Sequence, residues 1–401
     1  MIRPQPIGVF PYPTGLLLLP VLDADHPAHA ALLRGEEPDA WPDAWRFFEA
    51  AGQGDRERAL SLLASHDDQL AHYNRYVLSG EPVHLARAES GSDAVLRALT
   101  RMAAFVLGEP YHEPDWSLLD GELVGHARLV SASHALEVGD FAAAAAELDA
   151  GIATSRAVSP LLAAQMLAQR AGLEEAGETA EAFWKDAIAL AGDTQLPGLR
   201  AELLCGQALV VHQIAESRRH RLVEATQLYQ RALQAGINRE SHPLLWARIQ
   251  ANLGIAYVAM PMSEAGDKLR LAVAVQAFRE ALVVYDRETY PDEWASTMLN
   301  MANAMQYMPS GHRQENLMQA VDAYEELLTV RPRAMDPVGY ARILANQGNA
   351  LAHLGIFTHA VDKLTEAHKL LHWHGESDAA QRLLEQLELI NGQLSTAGAS
   401  S

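Results

Sequence analysis

The sequence predicts an all-α fold, a right-handed α-solenoid of stacked antiparallel helix pairs with a short extended N-terminal arm. Hydrophobic residues make up 49% of the 401 residues and aromatic residues only 6%, so the apolar content is mostly Ala and Leu, which favours helix. From about Trp41 to about residue 393, helix-length segments alternate with Gly and Pro and show no sustained strand periodicity. A third observation, an internal repeat, indicates the solenoid.

The repeat is clearest in three segments that align without gaps. They read WARIQANLGIAY, WASTMLNMANAM and YARILANQGNAL and begin at Trp246, Trp294 and Tyr340, which are 48 and then 46 residues apart. Each segment is followed by a second one with a small residue and then a large apolar residue four positions later, beginning at Ala274, Ala320 and Ala360. Self-similarity at this period predicts helix pairs that bury their apolar faces against their neighbours.

This pattern resembles the tetratricopeptide repeat (TPR), in which small residues let two antiparallel helices approach closely. Gly348, Gly355, Ala360, Leu364 and Ala367 fall at the spacing of that family without an insertion. We therefore expect close helix crossings at the small residues Gly254, Ala302 and Gly348. Several repeats are longer than usual because the first inter-helix region is extended. In this they resemble bacterial arrays that often accompany a caspase-like (CHAT) protease domain, although no such domain follows here.

The repeat pattern and the composition divide the chain into five predicted regions. Residues 1–40 form an extended Pro-rich arm with two short strands around Pro13 and Gly15, and residues 41–125 form a helical region with a degenerate repeat. The TPR-like solenoid covers 126–375, a capping helix with Leu383, Leu384, Leu387 and Ile390 on its inner face covers 376–393, and a disordered tail covers 394–401. The arm is apolar enough that we expect it to dock on the first helices; docking on a second copy, giving a homo-oligomer, is left open.

Charge and cysteine content exclude several classes of function. The 51 Asp and Glu residues against 31 Lys and Arg give a net charge of −20, which disfavours binding to nucleic acids or anionic membranes. The single cysteine, Cys205, cannot form an internal disulfide, lies beside a small packing residue and is expected to be buried. The apolar run Leu16–Leu19 is too short for a signal peptide or a membrane span, so a cytoplasmic protein is expected.

No catalytic or cofactor motif is present in the sequence. Gly-Lys does not occur, which excludes a P-loop, and the GxG at Gly52 and Gly54 lacks a third glycine and a preceding strand. His368, His372 and His374 cluster near the end of the last repeat, but no third ligand stands at a clear metal-binding spacing. We therefore expect no cofactor and no enzyme activity, with a His-based metal site as the less favoured alternative.

The remaining candidate site is the groove formed by the first helices of the pairs. The resemblance implies that this face binds an extended peptide through Asn side chains, which both donate and accept hydrogen bonds, and through Arg side chains, which bind carboxylates. The alternative for the Asn residues is that they bond neighbouring helices. The predicted groove residues are Arg200, Arg248, Asn252, Asn300, Asn303, Tyr307, Arg342, Asn346, Asn349 and His353.

These features predict a protein interaction scaffold, an adaptor or a dedicated assembly chaperone, which holds an extended and acidic segment of a partner protein and could aid maturation of a partner enzyme. A peptide-responsive regulatory sensor is the alternative. The acidic N-terminal third offers no basic recognition helix of the kind that DNA-binding sensors carry.

Overall fold

The computed structural model describes residues 1–22, 26–192, 194–216, 218–261, 267–308 and 312–398, and the chain divides into two compact units, residues 1–210 and 211–401. Regular structure within the described residues is entirely helical. The α-helices are α1 (Pro27–Leu33), α2 (Arg46–Gly52), α3 (Arg56–Leu63), α4 (Gln69–Ser79), α5 (Pro82–Ser90), α6 (Ala94–Val106), α7 (Glu122–Glu137), α8 (Phe141–Ser155), α9 (Pro160–Gly172), α10 (Glu178–Ala191), α11 (Pro197–Gln213), α12 (Arg219–Leu233), α13 (Pro243–Ala259), α14 (Asp267–Leu282), α15 (Pro291–Tyr307), α16 (Arg313–Val330), α17 (Pro337–His353), α18 (Phe357–Trp373) and α19 (Ser377–Gly398).

The second unit is a stack of antiparallel helix pairs. α13 packs on α14, α15 on α16 and α17 on α18, and each second helix also packs on the first helix of the next pair. The first helices additionally contact one another, α13 with α15 and α15 with α17, so that they form one layer. α19 closes the stack by packing on α18. This unit is therefore an α-solenoid of TPR-like helix pairs, as predicted.

The predicted small residues lie where two helices of a pair cross. A Cβ added to Gly254 would lie 2.6 Å from the ring of Phe278 in α14, and Ala302 is fully buried. The large partners Phe278 and Tyr324 are also fully buried. The repeat spacing thus encodes matched small and large residues, which bring the paired helices close together.

Proline and glycine mark helix boundaries in the second unit. Pro243, Pro291 and Pro337 occupy the first turns of α13, α15 and α17, where the missing N–H has no intrahelical role. Gly355 has a φ of 78° between α17 and α18, in the left-handed region that glycine adopts without steric cost. The prolines therefore begin the first helix of each pair, and Gly355 gives the short connection between α17 and α18 its sharp turn.

The first unit contains the predicted arm, which is docked on the helices of this same unit. Ile7, Val9 and Leu16–Leu19 are almost fully buried. The arm lies against α4, α7 and α9, where Tyr73 Oη donates to Leu16 O at 2.8 Å and a Cβ on Gly8 would meet Leu162. Burial of this apolar surface explains why the arm does not remain in solvent.

Side-chain amides and one carboxylate replace strand partners for the arm. Asn74 Nδ2 donates to Leu18 O and Asn74 Oδ1 accepts from Leu18 N, both at 2.8 Å. Gln5 makes the same two-way contact with the backbone of Leu19, at 3.0 and 2.9 Å. Glu122, at the start of α7, accepts from Gln5 N at 2.9 Å and pairs with Arg3 at 2.5 Å. The extended backbone is thereby satisfied without a β-sheet.

The structure differs from the sequence prediction in four places. The region around Pro13 forms a short 3-10 helix, Thr14–Leu16, and no strand, and the extended residues Leu18 and Leu19 that follow bond Asn74 and Gln5 in place of a neighbouring strand. The arm predicted to reach residue 40 includes α1. Leu384 of the capping helix is 38% exposed, whereas Leu383, Leu387 and Ile390 are buried. α19 continues to Gly398, into the segment predicted as a disordered tail, and only residues 399–401 of that tail lie outside the described residues. Parts of the long inter-helix regions, 262–266 and 309–311, also lie outside the described residues.

Cys205 is buried in α11, as expected for a packing residue. None of the helices within the described ranges combines the length and the apolar character that a membrane-crossing segment needs.

Candidate functional site

A pocket of about 360 Å³ opens between α17 and α19, and we call it the α17–α19 pocket. It brings together three of the predicted residues, Arg342, Asn346 and Asn349. α19 adds two residues that the sequence analysis did not select, Arg382 and Gln386. Its apolar lining consists of Ala345, Leu371, Ala379 and Leu383. Two guanidinium groups and three amides therefore surround an apolar floor.

The cations of this pocket differ in how they are compensated. Arg342 is 62% exposed and lies 3.4 Å from Glu376, at the start of α19. Arg382 is exposed and has no ion pair among the described residues. A weak surface pair and an uncompensated cation leave this pocket able to bind a carboxylate, because little is lost when the ligand replaces Glu376.

A second pocket of about 360 Å³, the α13–α15 pocket, lies on the same layer of first helices. It contains the predicted residues Arg248, Asn252 and Asn300. Asp292 and Glu293 of α15 also line it, so carboxylates outnumber cations there. Of these two pockets, only the α17–α19 pocket has more cations than carboxylates in its lining.

The Asn residues of the first-helix layer divide into bonded and open side chains. Asn346 Nδ2 donates to Asn303 Oδ1 at 3.0 Å, which joins α17 to α15. Asn349 Oδ1 accepts from Gln386 Nε2 of α19. Asn300 Nδ2 donates to Ser296 O of its own helix at 3.0 Å. Asn252, which is half-buried, makes no side-chain hydrogen bond within the described residues, so no protein partner there competes with a ligand for its amide.

Asn303 bonds neighbouring helices, which was the alternative to ligand contact for the predicted Asn residues. Its Oδ1 accepts a hydrogen bond from Tyr324 Oη at 2.7 Å in addition to the one from Asn346. Tyr324 Oη also contacts Gln306 Oε1 at 3.2 Å. Burial raises the pKa of Tyr324 far above its usual range, so this hydroxyl remains a donor. The Asn303 oxygen is thus committed to helix packing.

The other predicted residues are placed outside the two pockets. Tyr307, 64% exposed, and His353 lie at the C-terminal ends of α15 and α17. Arg200 lies on α11 in the first unit and does not line either pocket. Gln386 and Arg382 were missed because α19 carries no repeat partner, and their helical spacing on the polar side of α19 was the available signal.

The histidine cluster has the geometry of stacked surface rings. The rings of His368 and His372 are nearly parallel, with centroids 6.1 Å apart. Among the described residues no group of three or more His, Cys, Asp or Glu side chains is arranged to hold a metal ion.

Comparison with known proteins adds two distant structural likenesses. No protein-family model and no curated protein matches the chain. A Rap protein complexed with competence and sporulation factor is 12% identical with a TM-score of 0.42, covering 88% of this chain and 97% of its own. The TPR domain of P58(IPK) is 15% identical with a TM-score of 0.27, covering 86% of this chain and 98% of its own. The assignment of TPR-like helix pairs rests on the packing described above.

Proposed function

We propose that this protein is a non-enzymatic interaction scaffold that binds an extended, carboxylate-bearing segment of a partner protein in the α17–α19 pocket. The observation that carries the proposal is the juxtaposition of Arg342 and Arg382 with the amides of Asn346, Asn349 and Gln386. Guanidinium groups bind carboxylates with two parallel hydrogen bonds, and amides can satisfy both the N–H and the C=O of a peptide backbone.

The apolar floor supports a peptide over a small anion. Leu371 and Leu383 are buried and line the pocket, together with the small side chains of Ala345 and Ala379. An apolar side chain next to an acidic residue would cover this floor while its neighbour reaches the guanidinium groups. An adaptor and an assembly chaperone would both use such binding, and the identity of the partner distinguishes them.

The proposal is tested with peptides selected on the immobilised full-length protein from a random display library. We expect the selected peptides to be enriched in Asp or Glu beside an apolar residue. Their affinity for an Arg342→Met, Arg382→Met double variant should fall at least about tenfold, because each charge-assisted hydrogen bond contributes roughly 1.5–3 kcal/mol. Higher salt should weaken binding to the wild type.

Arg333→Met is the matched control, since Arg333 is an exposed cation before α17 and does not line the pocket. It should leave the affinity unchanged. Selected peptides without acidic residues, or equal affinities for wild type and double variant, would contradict the proposal.

A further inference from the structure

A larger cavity of about 980 Å³ lies within the first unit, between the N-terminal arm, α1 and α2, and we call it the arm cleft. Its volume falls at the upper end of the range for small-molecule sites, about 300–1,000 Å³. Three aromatic residues, Phe10, Trp41 and Phe48, line it together with three carboxylates, Glu36, Glu37 and Glu49. The arm cleft is separate from the pocket in the second unit to which the proposed function is assigned.

The aromatic residues form one connected wall. Phe10 and Phe48 meet edge to face, with ring centroids 5.4 Å apart and an interplanar angle of 86°. Trp41 also packs against Phe48, with ring centroids 6.2 Å apart. Phe48 is buried, whereas Phe10 and Trp41 are only partly buried and so leave aromatic surface on the cleft. Aromatic faces carry negative electrostatic potential and attract cations.

The carboxylates add negative charge that is only partly compensated. Arg34 Nη2 lies 2.6 Å from Glu36 Oε2, and this contact lowers the pKa of Glu36. Glu37 and Glu49 have no ion-pair partner within the described part of the chain. No Lys, Arg or His is among the described residues that line the cleft. The charged side chains of the cleft would therefore repel an anionic ligand and attract a cation.

We infer that the arm cleft binds an organic cation, an ammonium or guanidinium group carried on an apolar stem. The stem would pack on Phe10, Trp41 and Phe48, and the charged group would lie between the aromatic wall and the carboxylates of Glu37 and Glu49. An inorganic cation would not use the aromatic wall, and a neutral apolar molecule would leave the carboxylates without a partner. The cation occurs both on free amines and on Lys or Arg side chains of proteins.

Calorimetric titration of the full-length protein tests this inference with three probes of similar shape: phenethylammonium, phenethyl alcohol and phenylacetate. We expect the ammonium probe to bind at least tenfold more tightly than the alcohol, and phenylacetate not to bind at millimolar concentration. Glu37→Gln with Glu49→Gln should reduce the affinity for the ammonium probe about tenfold. A blocked Phe-Arg dipeptide identifies the source of the cation. If the dipeptide binds more tightly than phenethylammonium, the natural ligand is a protein side chain; if it binds more weakly, the natural ligand is a small molecule.

Glu57→Gln provides the matched control, because Glu57 is an exposed carboxylate on neighbouring α3 that does not line the cleft. It should leave the affinity for the ammonium probe within twofold of the wild type. Circular dichroism would confirm that all variants remain folded. The inference is overturned if neither the ammonium probe nor the dipeptide binds at millimolar concentration, if alcohol and ammonium bind equally, or if the double variant binds like the Glu57→Gln control.

Discussion

Tyr324 Oη of α16 donates a hydrogen bond to Asn303 Oδ1 of α15 at 2.7 Å, and the same oxygen accepts from Asn346 of α17 at 3.0 Å. One amide thus joins three consecutive helices of the second unit. Tyr324 is fully buried, so its hydroxyl needs an internal acceptor. Asn303, predicted as a ligand-binding residue, is consequently part of the packing of this unit.

Asn303→Ala is expected to lower the free energy of unfolding by about 1–2 kcal/mol, because two donors lose their shared acceptor and Tyr324 keeps only Gln306. Asn252→Ala, at an open amide of the same helix layer, should change it by less than about 0.5 kcal/mol. Urea unfolding monitored by circular dichroism measures both. Equal effects of the two substitutions would show that the Asn303 contacts do not stabilise the stack.

The Arg3 and Glu122 pair should hold the N-terminal arm in place. The Glu122 side chain is only 3% exposed, so Arg3→Met leaves a buried carboxylate without its guanidinium. We expect a loss of about 3 kcal/mol, at the lower end for a buried pair because Arg3 itself is 33% exposed. Adding Glu122→Gln should restore part of the melting temperature, since the charge is removed and an acceptor for Gln5 N remains. A double variant less stable than Arg3→Met would contradict this role.

His126 should make the first unit less stable as the pH falls. Burial lowers its pKa from 6.5 to about 4, and its Nδ1 has no hydrogen-bond partner. Between these two values the unfolded chain binds a proton that the folded chain does not, so stability is complete above pH 6.5 and is lost progressively as the pH approaches 4. The loss should reach about 3 kcal/mol.

Calorimetric melting of wild type and His126→Gln across this pH range measures the effect. The variant cannot titrate at this position, so its melting temperature should fall less steeply with pH. His112→Gln is the control, because His112 is an exposed histidine of the same unit. Parallel slopes for wild type and His126→Gln would show that other groups cause the acid sensitivity.

Gly348→Leu should disrupt the last helix pair. A Cβ at this position would lie 2.7 Å from Leu364 Cγ and 3.3 Å from Ala360 O, so a larger side chain must push α18 away from α17. Overpacking costs about 1–3 kcal/mol, and a displaced α18 also disturbs α19. Gly172→Leu is the matched control at an exposed helical glycine with no atom within 4 Å of the added Cβ. A melting temperature equal to that of this control would contradict the repeat register.

The helix pairs could be predicted because their signals are local and periodic. Pro at the start of α13, α15 and α17 and the small and large residues of each pair recur at fixed spacing, and each alone specifies a boundary or a crossing. The site could be predicted only in part. Arg342, Asn346 and Asn349 occur at positions that recur in each repeat. Arg382 and Gln386 lie on α19, which has no counterpart in the other repeats, so its sequence could not be aligned with theirs.

The sequence by itself determined the all-α class, the register of the repeats and the choice of small residues at the crossings, because these depend on helical periodicity and on side-chain size. Tertiary structure decided what the polar residues do. Asn303 and Asn346 are 43 residues apart in sequence, and a shift of α15 relative to α17 by about one hydrogen-bond length decides whether they bond each other or face a ligand. The docking of the arm likewise depends on Asn74, Gln5 and Glu122 meeting backbone atoms far along the chain, which no local pattern encodes.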